Sequence, residues 1–188
     1  GRLVGYEALT RFGGEPPRTP EAWSAEAAAA GLLEELELAV LREALAGFGG
    51  IPRHVYLSVN VSPATILHGD LATELPRALL GRLVLEVTEH ASIDDYGALA
   101  ARLEPLRRLG VRLAVDDAGA GFASFRHILK IRPDDIKLDI SLIRKIDSDQ
   151  GARALAAALI RFARETGGKI GPGGVGTESG MQVLRPWR

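Results

Sequence analysis

The chain has 188 residues, of which 46% are hydrophobic and 25% charged, so it fits one globular domain and is neither disordered nor fibrous. Its 23 basic and 24 acidic residues give a net charge of −1, which excludes a surface that holds a DNA or RNA polymer by charge alone. The absence of cysteine excludes a disulfide framework, thiolate metal ligands and a cysteine nucleophile. Because no apolar run has membrane-spanning length and no cleavable leader is evident, the sequence predicts a soluble cytoplasmic protein.

Short aliphatic runs alternate with helical stretches along the chain. Strands are predicted at Leu3–Leu9, His54–Asn60, Leu83–Thr88, Val111–Asp116 and Asp135–Asp139. Helices are predicted at Pro20–Gly31, Leu32–Gly47, Asp70–Leu80, Asp94–Leu109, Ser124–Lys130 and Gln150–Thr166. This order indicates an α/β protein with a mostly parallel sheet covered by helices. The periodicity does not distinguish a barrel from an open sheet, but both architectures place functional residues at the carboxyl ends of the strands.

Polar residues interrupt the predicted strands near those ends. They are Glu7, Asn60, Glu86, Asp116, Asp117 and Lys137. Successive side chains of a strand point to opposite faces, so Glu86 and Lys137 should point away from their aliphatic neighbours and converge in a common interior. A charge buried alone costs several kcal/mol, so these groups must pair with each other or with a metal.

Two interpretations of this polar set stay open, a structural ion network and a functional site. The number of such positions on consecutive strands favours a functional site. Oxygen ligands favour Mg²⁺ or Mn²⁺ over zinc or copper, and Asp116 with Asp117 can contact two ions. The pattern therefore predicts phosphoester chemistry or phosphate binding.

Five motifs in the chain resemble those of a known family. In order they are Gly5–Arg11, Leu57–Ser62, Leu85–Glu89, Val115–Gly121 and Ile136–Asp139. Their order and spacing resemble the EAL family of cyclic-di-GMP phosphodiesterases, and the likeness runs from the first residues to about Thr166.

The resemblance implies a TIM-like (β/α)8 barrel of EAL type whose first strand is antiparallel. It also implies that residues 1–188 form a single EAL-type domain that lacks the usual first strand and the last helix and strand, so the barrel is incomplete at both ends. A trimmed chain, an incomplete coding sequence and a barrel completed by another chain stay open as explanations.

The resemblance further implies a metal site. Glu7, Asn60, Glu86 and Asp116 resemble the ligands of one divalent cation, and Asp116 with Asp117 resembles the pair that reaches a second. The expected cation is Mg²⁺ or Mn²⁺, and Ca²⁺ is expected to permit ligand binding without turnover.

Other positions are implied to act in catalysis or ligand binding. The catalytic residues implied are Lys137, Glu7 and Asp116, with Lys137 similar to the group that orients the attacking water or steadies charge near it. Arg11 resembles a contact to a ligand phosphate, and Glu89 resembles the loop glutamate that shapes the segment after the acidic pair. The ligand implied is cyclic di-GMP.

The chain departs from the family pattern after Gly167. The family continues with Ala-Glu-Gly-(Val/Ile)-Glu, whereas this chain has Pro172–Gly176, so Gly173 and Gly176 replace both glutamates. In the family the first glutamate is essential for hydrolysis, and glycine can neither coordinate a metal nor accept a proton. Loss of a general base alone costs ~10²–10⁴ in rate. Glu178 reaches the site only if the alignment slips.

Three functions stay open on these grounds. The favoured hypothesis is an EAL-type signalling domain that binds cyclic di-GMP with impaired or absent hydrolysis. The alternatives are an active metal-dependent phosphodiesterase that gives the linear dinucleotide pGpG, and a non-enzymatic protein-interaction module. A homodimer and a fusion to other signalling domains are both compatible with the sequence.

Overall fold

The computed structural model describes residues 3–15, 17–88, 93–119 and 123–172. The chain divides into two compact units. The first comprises Gly1–Leu85 and Ile93–Val111, and the second comprises Glu86–Ser92 and Arg112–Arg188. None of the helices in the described ranges is both long and apolar enough to cross a membrane.

The first unit combines parallel strands with five helices. Its strands are β1 (Gly5–Ala8), β2 (Tyr56–Asn60) and the first half of β3 (Leu83–Thr88). Its helices are α1 (Pro20–Ala29), α2 (Leu33–Ala46), α3 (Pro63–His68), α4 (Leu71–Glu74) and α5 (Tyr96–Arg108), with 3₁₀ segments at Gly47–Gly50 and Arg77–Arg82. Strand β1 pairs in parallel with β2, with Glu7 opposite Ser58, and β2 neighbours β3.

Local sequence signals explain where the helices of this unit begin. The Thr19 side chain accepts a hydrogen bond from the Ala22 N–H at the start of α1, and Asp95 does the same for Ala98 at the start of α5. The core is built from the aliphatic stripes of α2 and α5 against the strands. Its buried residues include Leu41, Leu45, Leu57, Val59, Leu83, Leu85, Leu99 and Leu103.

The second unit carries the remaining strands. They are the second half of β3, β4 (Arg112–Ala118), β5 (Asp135–Leu138) and β6 (Lys169–Pro172), and the helices are α6 (Ala123–Ile131), α7 (Ile140–Lys145) and α8 (Gln150–Thr166). Strand β5 lies between β4 and β6 and is parallel to both. Ile136 and Leu138 are fully buried in a core with residues of α7 and α8, which leaves the alternate positions of β5 on the other face.

The predicted elements agree with the structure except in four places. Periodicity missed the short segments α3, α7 and β6, each of four to six residues. The single helix predicted at Asp70–Leu80 is wrong, since α4 ends at Glu74 and the 3₁₀ segment begins at Arg77. Pro76 explains the break, because proline has no N–H to donate and disfavours helical geometry in the residue before it.

Arg82, the last residue of its 3₁₀ segment, connects that segment to the chain before β2. Its guanidinium donates to the carbonyl oxygens of Val55 at 2.7 Å, Pro52 at 2.6 Å and Ile51 at 3.2 Å. The same group lies 4.4 Å from the ring centroid of the buried Phe48. One side chain therefore satisfies three carbonyl groups and covers a core aromatic ring.

We expect Arg82→Met to lower the free energy of unfolding by about 1.5–3 kcal/mol, because these carbonyl groups lose a charged donor. Urea denaturation measures the change. Arg77→Met is the matched control, since Arg77 is exposed in the same segment and its change should stay within about 0.5 kcal/mol. Equal losses in both variants would contradict this role for Arg82.

Candidate functional site

The first unit brings two of the predicted site residues together. Glu7 lies on β1 and Asn60 is the last residue of β2, and the parallel register places both on the face that carries Ser58. The Asn60 Nδ2 group donates to Glu7 Oε1 at 3.4 Å. Both residues are exposed, so their oxygens are accessible to a ligand.

The second unit confirms that Glu86 and Lys137 converge. Lys137 Nζ donates to Glu86 Oε2 at 2.6 Å and lies 2.6 Å from Oε1 as well. The Glu86 side chain is 0% exposed, and those of Lys137 and Asp116 are 17% and 15% exposed. Lys137 Nζ is also 3.8 Å from Asp116 Oδ2, so one ammonium group stands between two carboxylates on β3 and β4.

A β-bulge shapes the acidic pair at the end of β4. Val115 pairs with Ile136 and Ala118 pairs with Leu138, so two residues of β4 face the single residue Lys137 on β5. Asp117 has a φ of 55°, a left-handed conformation that aspartate tolerates better than most residues. The Asp117 N–H donates to Asp116 Oδ1 at 2.9 Å. The bulge therefore interrupts the alternation of side-chain directions along β4 at two consecutive carboxylates, Asp116 and Asp117.

Further charges lie on the same face of the sheet, towards the amino ends of β4 and β5. Arg112 Nη1 and Asp135 Oδ2 are 2.9 Å apart. Burial raises the pKa of the Asp135 carboxyl above its ordinary value, while the positive charges of Arg112, Lys169 and Lys137 oppose that rise. The sequence offered a signal for this pair, since Arg112 and Asp135 each fall on the alternation that carries Asp116 and Lys137.

The donor atoms suit a hard divalent cation. In the second unit Glu86 and Asp116 each place a carboxylate oxygen within 4.8 Å of the other. In the first unit Glu7 and Asn60 contribute a carboxylate and an amide. Mg²⁺, Mn²⁺ and Ca²⁺ prefer such oxygen ligands, and carboxylates this close also need a positive charge between them.

The remaining predicted positions are less defined. Arg11 is exposed, and its guanidinium donates to the carbonyl oxygen of Thr10 at 2.8 Å. Glu89, Gly173, Gly176 and Glu178 lie outside the described residues.

Comparison with known proteins agrees with this fold. The EAL domain model matches residues 1–188. The chain is 29% identical over 198 residues to the bifunctional diguanylate cyclase/cyclic di-GMP phosphodiesterase MucR of Pseudomonas aeruginosa, covering 98% of this chain and 29% of MucR. The chain spans about a fifth to a third of the length of the curated relatives that it matches.

Solved structures that resemble this chain include two complexes with cyclic di-GMP. The phosphodiesterase PaMucR in complex with c-di-GMP has a TM-score of 0.81 and 29% identity, over 100% of this chain and 81% of that chain. The calcium and cyclic di-GMP complex of Klebsiella pneumoniae BlrP1 has a TM-score of 0.82 and 28% identity, over 99% of this chain and 48% of that chain. Further structures of BlrP1 hold manganese with the same dinucleotide.

The chain belongs to the EAL domain family. The predicted fold class, an α/β barrel of TIM-like EAL type, is confirmed by these likenesses.

We expect Lys137→Met to destabilise the metal-free protein by about 3–5 kcal/mol at neutral pH, because the buried Glu86 carboxylate loses its ammonium partner. Denaturation in the presence of a chelator measures the loss. The double variant Glu86→Leu with Lys137→Met should recover much of it, since both charges are then gone. Lys130→Met, at an exposed lysine on α6, is the control and should have little effect. If Lys137→Met lowered the stability no more than Lys130→Met does, the stabilising role of the Lys137–Glu86 ion pair would be contradicted.

Proposed function

We propose that residues 1–188 act as a single EAL-type domain that binds cyclic di-GMP through divalent cations and hydrolyses it slowly or not at all. The observation that carries the proposal is the buried Glu86 carboxylate beside Lys137 and Asp116. Lys137 balances one of these two carboxylates, so the cluster keeps a negative charge that a cation would balance, and relatives of this chain in solved structures hold this dinucleotide.

The proposed metal ligands come from four strands. Glu7, Asn60, Glu86 and Asp116 hold one cation, and Asp117 joins Asp116 at a second. The proposed cation is Mg²⁺ or Mn²⁺, which when bound would supply Lewis acidity and activate water at neutral pH. The proposal is supported by the oxygen-only donor set and by the calcium and manganese found in BlrP1.

Three further residues complete the proposed site. Lys137 holds the Glu86 charge and orients water or steadies negative charge near it, a role supported by its 2.6 Å contact. Arg11 contacts a phosphate of the ligand, which its exposed guanidinium permits. Glu89 supports the segment after Asp117, as in the family.

Impaired hydrolysis is inferred from the sequence after α8. Gly173 and Gly176 stand where the family has glutamates, and a hydrogen atom cannot act as a base or a ligand. The residues proposed to bind the cations are present, whereas glycine replaces the glutamate that the family needs for hydrolysis. An active phosphodiesterase is the second candidate, favoured by the intact Lys137–Glu86 contact and by the phosphodiesterase relatives.

Calorimetric titration of cyclic di-GMP in the presence of Ca²⁺ tests binding. We expect one ligand per chain, and we expect Asp116→Asn to weaken the affinity about tenfold or more. This variant keeps an acceptor for the Asp117 N–H but removes the charge that a cation needs. Asp147→Asn, at an exposed position of the same unit, is the matched control and should bind like the native protein. No binding by a folded sample would overturn the proposal in favour of a protein-interaction module.

A product assay in Mg²⁺ or Mn²⁺ tests the loss of hydrolysis. The native chain should form little linear dinucleotide, whereas Gly173→Glu combined with Gly176→Glu should raise the rate by about 10²-fold or more if it restores the missing base. Glu7→Ala in the restored variant is the control, and it should abolish the gain. Fast metal-dependent turnover by the native chain would establish the active phosphodiesterase instead.

A further inference from the structure

A glutamate outside every motif used so far contacts the turn that follows Asn60. Asn60 ends β2, and α3 begins with Pro63 two residues after Val61, with Ser62 as the helix-capping residue. The Ser62 hydroxyl accepts a hydrogen bond from the Thr65 N–H at 3.2 Å. This is an ordinary helix cap, and it holds the amino end of α3.

Glu37 adds a connection that a helix cap does not need. Its Oε2 atom accepts two hydrogen bonds from Ser62, one from the backbone N–H at 2.8 Å and one from the hydroxyl at 2.9 Å. Glu37 lies on α2, four residues before Leu41, which is completely buried. A carboxylate on a packed helix therefore fixes the backbone at Ser62 from outside the strand and its turn.

This turn directly follows Asn60, so its position affects the backbone that carries the Asn60 side chain. Asn60 Nδ2 donates to Glu7 Oε1, so its Oδ1 atom is the oxygen that is available to a cation. An amide is a neutral ligand and contributes to metal binding only when its carbonyl oxygen is held in the right direction. With one weak hydrogen bond at 3.4 Å on the side chain, the direction depends on the backbone between Asn60 and Ser62.

We infer that Glu37 is a positioning residue that holds Asn60 in place as an oxygen ligand of the divalent cation, acting through Ser62. This inference rests on the proposed function, since it assumes that the domain binds a cation. Residues that orient a metal ligand without touching the metal typically change metal affinity about 10–100-fold when they are replaced.

Calorimetric titration of the full chain with Ca²⁺ alone, and then with Ca²⁺ and cyclic di-GMP, tests the inference. Glu37→Ala should weaken Ca²⁺ binding about tenfold or more. Glu37→Gln should stay within about twofold of the native protein, because one amide oxygen can accept both hydrogen bonds from Ser62. The matched control is Glu43→Ala, at an exposed position on the same helix, which should leave the affinity unchanged.

A double-variant cycle separates positioning from a general loss of structure. In the background of Asn60→Ala, Glu37→Ala should cause no further loss of Ca²⁺ affinity, because the ligand that it orients is already gone. Additive losses, or an unchanged affinity in Glu37→Ala alone, would overturn the inference. If Glu37→Ala does not fold, Ser62→Ala takes its place. It removes the hydroxyl and keeps the backbone hydrogen bond, and it should show a smaller loss that again disappears in Asn60→Ala.

The two proposals fail in distinguishable ways. A native chain that binds neither Ca²⁺ nor cyclic di-GMP refutes the proposed function, and the role of Glu37 falls with it. If the native chain binds Ca²⁺ and cyclic di-GMP, and Glu37→Ala binds Ca²⁺ with the same affinity, only the role of Glu37 is refuted.

Discussion

The carboxylate of Glu86 is the constraint around which the second unit is organised. It is fully buried in the middle of a strand, where an unpaired charge would cost several kcal/mol, a large part of the ~5–15 kcal/mol that stabilises an ordinary domain. Lys137 meets this requirement because Ile136 and Leu138 anchor β5 in the aliphatic core, which leaves Asp135 and Lys137 on the other face with Lys137 beside Glu86. The same packing that buries the helix side of the sheet therefore fixes the ammonium group beside Glu86 and Asp116.

Much of this arrangement follows from the sequence alone. Strict alternation along β5 determines that Lys137 points away from Ile136 and Leu138, and the same rule applies to Glu86 between Leu85 and Val87. In a parallel sheet whose aliphatic positions pack against helices, such side chains share the opposite face, so Glu86 on β3 and Lys137 on β5 can meet across β4. Chain order and alternation were thus sufficient to predict the convergence of Glu86 and Lys137, with no knowledge of any distance.

Features that depend on irregular backbone geometry could not be predicted from sequence patterns. The bulge at Asp116 and Asp117 requires two residues to oppose one on the next strand, and alternation assumes that this never happens. The contact of Glu37 with Ser62 joins residues 25 positions apart, and the pattern of α2 marks Glu37 only as a polar helix position. The break between α4 and the following 3₁₀ segment was readable from Pro76, but the apolar periodicity on both sides concealed it.

Charge explains why the proposed binding of cyclic di-GMP would require a cation. The chain has a net charge of −1, and its candidate site concentrates carboxylates, so the protein alone repels an anionic dinucleotide. A divalent cation would reverse the sign of that field, and the ligands proposed for it are separate in sequence from the positions after α8 where the family glutamates are missing. Binding and hydrolysis therefore depend on different parts of the sequence. Under the proposed function, this chain has lost the base that activates water and keeps the ligands of the cations that attract the dinucleotide.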